Sequence, residues 1–199
     1  MSTPLIAITG GIGAGKSVIS HILQCMGYQV YDCDSRAKAI IGTVSELQQQ
    51  IREQICADAF LADGTYNREA VSACVFADKT KMERLNSLVH AAVFKDIELW
   101  RNKSASNSKS PLFVESAILY TSELWRAAKP DCAWIVTAPE ELRIHRVMQR
   151  NGLTANQIKA RIAAQSFEPD KYPLPYSYIS NDNVTAILPQ VAQLLLQWQ

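Results

Sequence analysis

The residues best equipped for chemistry are Gly10-Gly11-Ile12-Gly13-Ala14-Gly15-Lys16-Ser17, which match the pattern G-x-x-x-x-G-K-[ST] at every fixed position. A loop this poor in side chains lets successive backbone N–H groups and a following helix N-terminus close on phosphate oxygens. Lys16 then reaches the β- and γ-phosphates, and Ser17 offers its hydroxyl to Mg²⁺. The candidate ATP-binding residues are therefore Gly11, Gly13, Ala14, Gly15, Lys16, Ser17 and Val18, with Ser17 the candidate metal ligand. A flexible Gly-rich turn is the bland alternative, and the flanking elements argue against it. Leu5 to Thr9 is a short apolar run suited to a buried parallel strand, and Val18 to Met26 reads as a helix stopped by Gly27.

Two further groups complement a bound triphosphate. Tyr28 to Tyr31 is a candidate second strand that delivers Asp32-Cys33-Asp34 to its carboxyl end, where open α/β sheets bind ligands. A hydroxyl acceptor gains from a carboxylate that orients it and takes its proton, and these two are the best-placed carboxylates. If the strand continues, their spacing of two puts both on one face. Alternatively one of them belongs to a turn or holds Mg²⁺ through water, or the pair caps a helix beginning near Ser35. The second group is Arg143, Arg146 and Arg150, which fall within an arc of roughly 60° on a helix from Pro139 to Arg150. Three cations on one stripe repel each other unless an anion lies against them, and phosphoryl transfer supplies one. A solvated face partly neutralised by Glu140 and Glu141 is the competing reading. A second helix beyond Asn151-Gly152 makes this a hairpin able to close as a lid and exclude water.

The remaining elements must hold these groups together. Ser35 to Ile41 and the stretch from Val44, with Leu47, Ile51 and Ile55 at four-residue spacing, predict two helices. An Asp63-Gly64 turn follows, and Asn67 and Asp78 are candidate N-caps of two more. The second of these carries Leu85, Leu88, Val89, Ala92, Val93 and Ile97 on one face. Residues from about 36 to 102 thus predict a helical insertion, and Lys103 to Ser110 a polar surface loop. Pro111 to Glu115, Cys132 to Thr137 and Tyr178 to Ser180 predict strands. Thr137 with Glu140, and Thr154 with Gln157, have capping-box spacing, and Val184 to Trp198 predicts a closing helix with Leu188, Val191, Leu195 and Trp198 on one face. Strands alternating with helices around a phosphate loop predict a parallel three-layer α/β/α sandwich.

Composition excludes several alternatives. With 199 residues, 48% of them hydrophobic, the chain can bury a sizeable core, and a formal net charge of +1 gives no global field for nucleic acid or an acidic membrane. The five cysteines are odd in number and scattered, and the three histidines lack ligand spacing, so neither a disulfide framework nor a zinc site is expected. No apolar run approaches the roughly 20 residues of a membrane span, and no signal peptide is read at the N-terminus. The expectation is a cytoplasmic protein, a monomer or weak oligomer, with neither nucleic-acid nor membrane partners.

Taken together, these motifs resemble the dephospho-coenzyme A kinase family along essentially the whole chain. That family is similar in carrying G-G-I-G-[SA]-G-K-S after the first strand, D-x-D at the end of the second, V-H-P in a helical domain, a P-L-L-x-E strand, an arginine-rich lid ending in A-A-Q, and a late I-D-N strand. Here these are Gly10 to Ser17, Asp32 and Asp34, Val89-His90, Pro111 to Glu115, Arg143 to Gln165, and Ile179-Ser180-Asn181. The resemblance implies a P-loop kinase that moves the ATP γ-phosphate, with Mg²⁺, onto the ribose 3′-hydroxyl of dephospho-coenzyme A. It implies a nucleotide-binding core of residues 1–35, 110–138 and 176–199, a helical acceptor-binding domain of residues 36–109, and a lid with its return connection over residues 139–175. Asp34 is then the base, aided by Lys16, Arg143 and Arg146, while Asp32, Asp34, His90, Leu112 and Glu115 meet the acceptor. The sequence departs from the family at Ala91, where proline is usual, at Lys38 for arginine, at Ser180 for aspartate, and over Phe167 to Tyr178. Another P-loop kinase of a nucleoside or nucleotide is the nearest rival. A GTPase-like binding switch is more distant, since no N-K-x-D motif occurs.

Overall fold

In the computed structural model of the chain, residues 3–105, 110–120, 122, 124–165 and 168–198 are described, together with the backbone but not the side chains of Leu124 and Trp125. Two compact units emerge, one comprising Met1–Asp32 and Trp100–Gln199, the other Cys33–Leu99.

The first unit is built on five parallel strands: β1 (Leu5–Thr9), β2 (Val30–Asp32), β3 (Leu112–Glu115), β4 (Cys132–Thr137) and β5 (Tyr176–Ser180), in the order β2-β3-β1-β4-β5. β1 lies in the middle, and all five of its residues are buried, as an uninterrupted apolar run demands of a strand covered on both faces. Helices α1 (Lys16–Cys25) and α9 (Ile187–Leu195) supply Ile19, Leu23, Val191 and Leu195 to a core completed by Ile6, Ile8, Phe113, Trp134, Val136 and Ile179. Phe113 and Trp134, from the strands on either side of β1, meet at 5.2 Å between ring centroids. Gly27 stops α1 at a positive φ of 89°, and the Tyr28 N–H returns to the Leu23 carbonyl. The parallel α/β architecture inferred from the sequence is thus the one observed.

The second unit holds α2 (Cys33–Thr43), α3 (Ser45–Gln54), α4 (Arg68–Ala77) and the first part of α5 (Lys79–Ala105). Asn67 caps α4 by accepting the Ala70 N–H, and Asp78 caps α5 by accepting from Thr80 N at 2.9 Å. Its apolar interior includes Ile40, Leu47, Ile51, Ile55, Val71, Val93 and Ile97. A two-pronged Arg36–Asp96 pair, at 2.8 and 2.9 Å, ties α2 to α5. Proline at position 91 would remove a donor from the middle of α5, so Ala91 suits an unbroken helix.

Several local expectations are corrected. α2 begins at Cys33, ahead of Ser35, and α5 runs into the expected 103–110 loop as far as Ala105. Residues 106–109 of that loop, and Phe167 at the head of the Phe167–Tyr178 stretch, lie outside the described residues. Thr137 caps no helix, because β4 extends through it to pair with Ser180, and its hydroxyl donates to the Ile179 carbonyl at 3.4 Å. Pro139 takes the N-cap of α7 (Glu140–Asn151) without a side-chain bond, whereas the Thr154–Gln157 capping box of α8 (Ala155–Ala164) is present in full. The closing helix starts at Ile187, three residues late, since Asp182 holds the Val184 and Thr185 amides in a turn, and Leu188 faces out at 61% exposure.

Trp134 is 1% exposed at the centre of this packing. Trp134→Ala is expected to cost about 3–5 kcal/mol of unfolding free energy in urea titrations, and Trp134→Phe less than half of that.

Candidate active site

Thr9 ends β1, and the chain then turns through the glycines into α1. Gly15 caps that helix at φ 97°, and a side chain there would collide with the Asn181 amide nitrogen. Gly13 is crowded from the other side. A methyl group on it would lie 2.6 Å from the Arg143 carbonyl oxygen, so bareness of the loop is needed for protein packing as well as for phosphate. The Lys16 ammonium lies along the loop, donating to the carbonyls of Gly10 at 2.9 Å and Gly11 at 3.4 Å. Ser17 and Val18 stand exposed on the first turn of α1, where N–H groups and dipole favour an anion.

The arginine stripe divides. Arg143 donates from Nε to the Ile12 carbonyl at 2.9 Å, and burial draws its guanidinium below its ordinary value, opposed by Glu140. It stays charged at neutral pH. Arg146 reaches the Gly13 carbonyl at 3.4 Å, the Asn181 carbonyl at 3.1 Å and side chain at 3.2 Å, and the Asn183 side chain at 2.6 Å. Arg150 turns away to Asn151. Asn181 is buried and closes the ring by donating to the Ala14 carbonyl at 2.9 Å, while Asn183 occupies the left-handed region at φ 68°. From α8, the Gln165 side-chain oxygen accepts the Ile12 N–H at 2.7 Å.

Two carboxylates stand at the carboxyl ends of adjacent strands. Asp32 ends β2 in register with Glu115 at the end of β3. Glu115 accepts the buried Ser20 hydroxyl at 2.5 Å, which fixes one of its oxygens against α1. Asp34 is exposed in the first turn of α2, so the strand does not carry both aspartates on one face as its continuation would have done. Leu112 is 1% exposed and pairs with Leu5 at the opposite end of β3, where it packs the core. His90 lies in α5 beside Phe94, and desolvation lowers its pKa. Between the loop, the carboxyl end of β4 and the hairpin lies a cavity of about 480 Å³. Arg143, Lys159 and Glu140 are its charged lining, and its apolar lining includes Ile135, Val136, Ile162 and Pro169.

A sequence model described as Dephospho-CoA kinase matches residues 4–186. The chain belongs to the dephospho-CoA kinase family. It is 32% identical over 190 residues to a dephospho-CoA kinase of Bacteroides fragilis, covering 96% of this chain and 90% of that one. With that of Porphyromonas gingivalis it shares 36% over 163 residues, covering 82% and 78%. Among solved structures, TT1252 from Thermus thermophilus superposes with a TM-score of 0.76 at 27% identity, covering 99% of this chain and 96% of that one. A dephospho-CoA kinase from Campylobacter jejuni, at 22% identity and a TM-score of 0.66, shares the fold.

In this chain Ser180, standing where the family resemblance implies aspartate, has a visible counterpart. Its hydroxyl donates to Asp182 at 2.9 Å, and Asp182 also accepts from Thr185 and Val184, bonds that hold its carboxyl far below the usual range. The carboxylate of this loop thus lies two residues further on. Sequence reasoning did not single out Thr9, whose hydroxyl is fully buried without a hydrogen-bond partner among the described residues, nor the contacts of Asn181, Asn183 and Gln165. A hydroxyl amid an apolar run was the available signal for Thr9, and the A-A-Q and I-D-N positions were those for Gln165 and Asn181.

Arg146→Ala strips three residues of a donor in one partly buried cluster. It is expected to lower stability by about 1–3 kcal/mol in chemical denaturation, and Arg146→Lys to recover little, because one ammonium cannot span those acceptors.

Proposed function

We propose that this chain transfers the γ-phosphoryl group of ATP to the ribose 3′-hydroxyl of dephospho-coenzyme A, releasing coenzyme A and ADP in the last step of coenzyme A synthesis in the cytoplasm. The observation that carries this is a family match over residues 4–186 with an intact phosphate loop and two arginines docked on it. In this reading the amides of Gly13, Gly15, Lys16 and Ser17 hold the phosphates, with Gly11 leaving room beside them, while the Ala14 and Val18 amides brace the loop by donating to the Gly11 and Gly15 carbonyls at 3.2 and 3.0 Å. Lys16 shifts from its own loop's carbonyls to the β,γ-bridge, where charge develops, and Arg143 stabilises the transferred oxygens.

The residues present suit Mg²⁺ held largely by the phosphates. No cluster of three or more His, Cys, Asp or Glu that would cage a metal occurs among the described residues, and Ser17 with Asp32 and Glu115 offers the sparse oxygen set Mg²⁺ prefers. When bound, the ion neutralises charge between the β- and γ-phosphates. Asp34 orients the acceptor hydroxyl and takes its proton, with Asp32 in support. Residues 36–109 serve as the acceptor domain, to which His90 contributes, and residues 139–175 as the lid.

A coupled assay with ATP, Mg²⁺ and a panel of acceptors tests this directly. Turnover with dephospho-coenzyme A well above that with nucleosides or nucleotides is expected, and the reverse preference would overturn the assignment. Asp34→Asn should bind both substrates nearly normally by calorimetry yet lose about 10²-fold or more in kcat. A change confined to KM, or a larger loss in Asp32→Asn, would reverse the roles of the two. Lys16→Ala should lose turnover with little change in melting temperature.

A further inference from the structure

Ile12 is the point at which both helices of the hairpin grip the phosphate loop. Its carbonyl accepts from Arg143 of α7 at 2.9 Å, and its N–H donates to the Gln165 side chain, from the end of α8, at 2.7 Å. We propose that Gln165 is a positioning residue for phosphoryl transfer: by holding the Ile12 amide it fixes the register between the loop and α7, and so the placement of the Arg143 guanidinium. The proposal rests on the kinase reading above and names a residue that acts through another.

The mounting of Gln165 suits such a task. Its backbone N–H folds back on the Arg161 and Ile162 carbonyls at 3.1 and 3.2 Å, closing the last turn of α8. That helix is anchored by the fully buried Ile158 and started by a complete capping box. The side chain therefore projects from a fixed base. Arg143 lies directly over Gly11, where even a methyl group would meet its guanidinium, so a small rotation of the Ile12 backbone would displace that charge from the loop surface. Misplacement by about 1 Å is enough to cost up to about 10²-fold in rate. An amide already bonded to Gln165 is also withdrawn from phosphate binding, so its loss should affect the reacting geometry more than ATP affinity.

Chemistry at this position further demands a neutral acceptor. A glutamate could accept the same N–H but would place a carboxylate beside the phosphates, whereas methionine keeps the length and loses the acceptor. Four measurements then separate the possibilities: kcat with dephospho-coenzyme A, the ATP dissociation constant by calorimetry, hydrogen exchange of peptides covering residues 140–151, and the melting temperature. In Gln165→Met, kcat should fall by about 10-fold or more, ATP affinity should stay within about threefold, exchange in α7 should quicken, and the melting temperature should move by less than about 4 °C. Gln165→Glu should restore slow exchange in α7 while weakening ATP binding. Wild-type kcat and exchange in Gln165→Met would overturn the proposal. So would a kcat loss matched by a collapse in melting temperature, or identical exchange in the two variants. Should the wild type fail to phosphorylate dephospho-coenzyme A, the acceptor assignment falls, while exchange and ATP binding still decide the role of Gln165.

Discussion

The constraint on which this site depends is that a bare loop must present its two kinds of backbone group to different partners. Carbonyls of the loop are taken by protein donors: Gly10 and Gly11 by Lys16, Ile12 by Arg143, Gly13 by Arg146, and Ala14 by Asn181. Main-chain N–H groups from Gly13 into α1 are the donors a phosphate needs. Hydrogen bonds from charged donors contribute about 1.5–3 kcal/mol each, against about 1 kcal/mol for a neutral pair, so this sorting fixes the loop firmly through its carbonyls, with the Ile12 and Ala14 amides also held by protein acceptors. It also brings Lys16, Arg143 and Arg146 onto the loop.

Such sorting works because the strands behind the loop are packed on both faces. β1 is flanked by β3 and β4, its residues are buried throughout, and Phe113 and Trp134 pack from either side. The Ser20–Glu115 bond then ties the first helix to the end of β3. Carboxyl ends of β1, β3, β4 and β5 thus converge with the P-loop in one rigid layer, and β2 brings Asp32 into register with Glu115.

What was legible in the sequence was whatever depends on local pattern. Apolar runs located the strands, and the fixed spacing of the loop located the phosphate site. Asn67 and Thr154 marked helix starts because a cap is satisfied within four residues. The failures share the opposite property. Thr137 has capping-box spacing, but pairing with Ser180, over forty residues away, keeps it in a strand. Leu188 shares a face with Val191 and Leu195 by spacing, but the Asp182 turn delays the helix to Ile187, and in that helix's first turn Leu188 stands exposed. For Asp34 local pattern left strand, turn and helix cap open, and α2, beginning at Cys33, places it in a first helical turn. Periodicity placed three arginines on one stripe and could not tell which would reach the loop.

That division among the arginines follows from where each one falls along α7. Arg143 and Arg146 lie in its first two turns, next to the loop, whereas Arg150 is in the last turn and finds only Asn151. Of the two that reach the loop, Arg146 is surrounded by four protein oxygens whose dipoles balance its charge, including one from Asn183, a residue in the left-handed region. Holding Asn183 in that conformation costs free energy, which the short bond to Arg146 offsets. Arg143 has a single strong acceptor on the loop and suffers desolvation that its neighbours offset only in part. A guanidinium in that state gains most from an anion placed beside it. The same stripe thus supplies one cation that clamps the loop to the segment after β5 and another held over Gly11 by the Ile12 carbonyl.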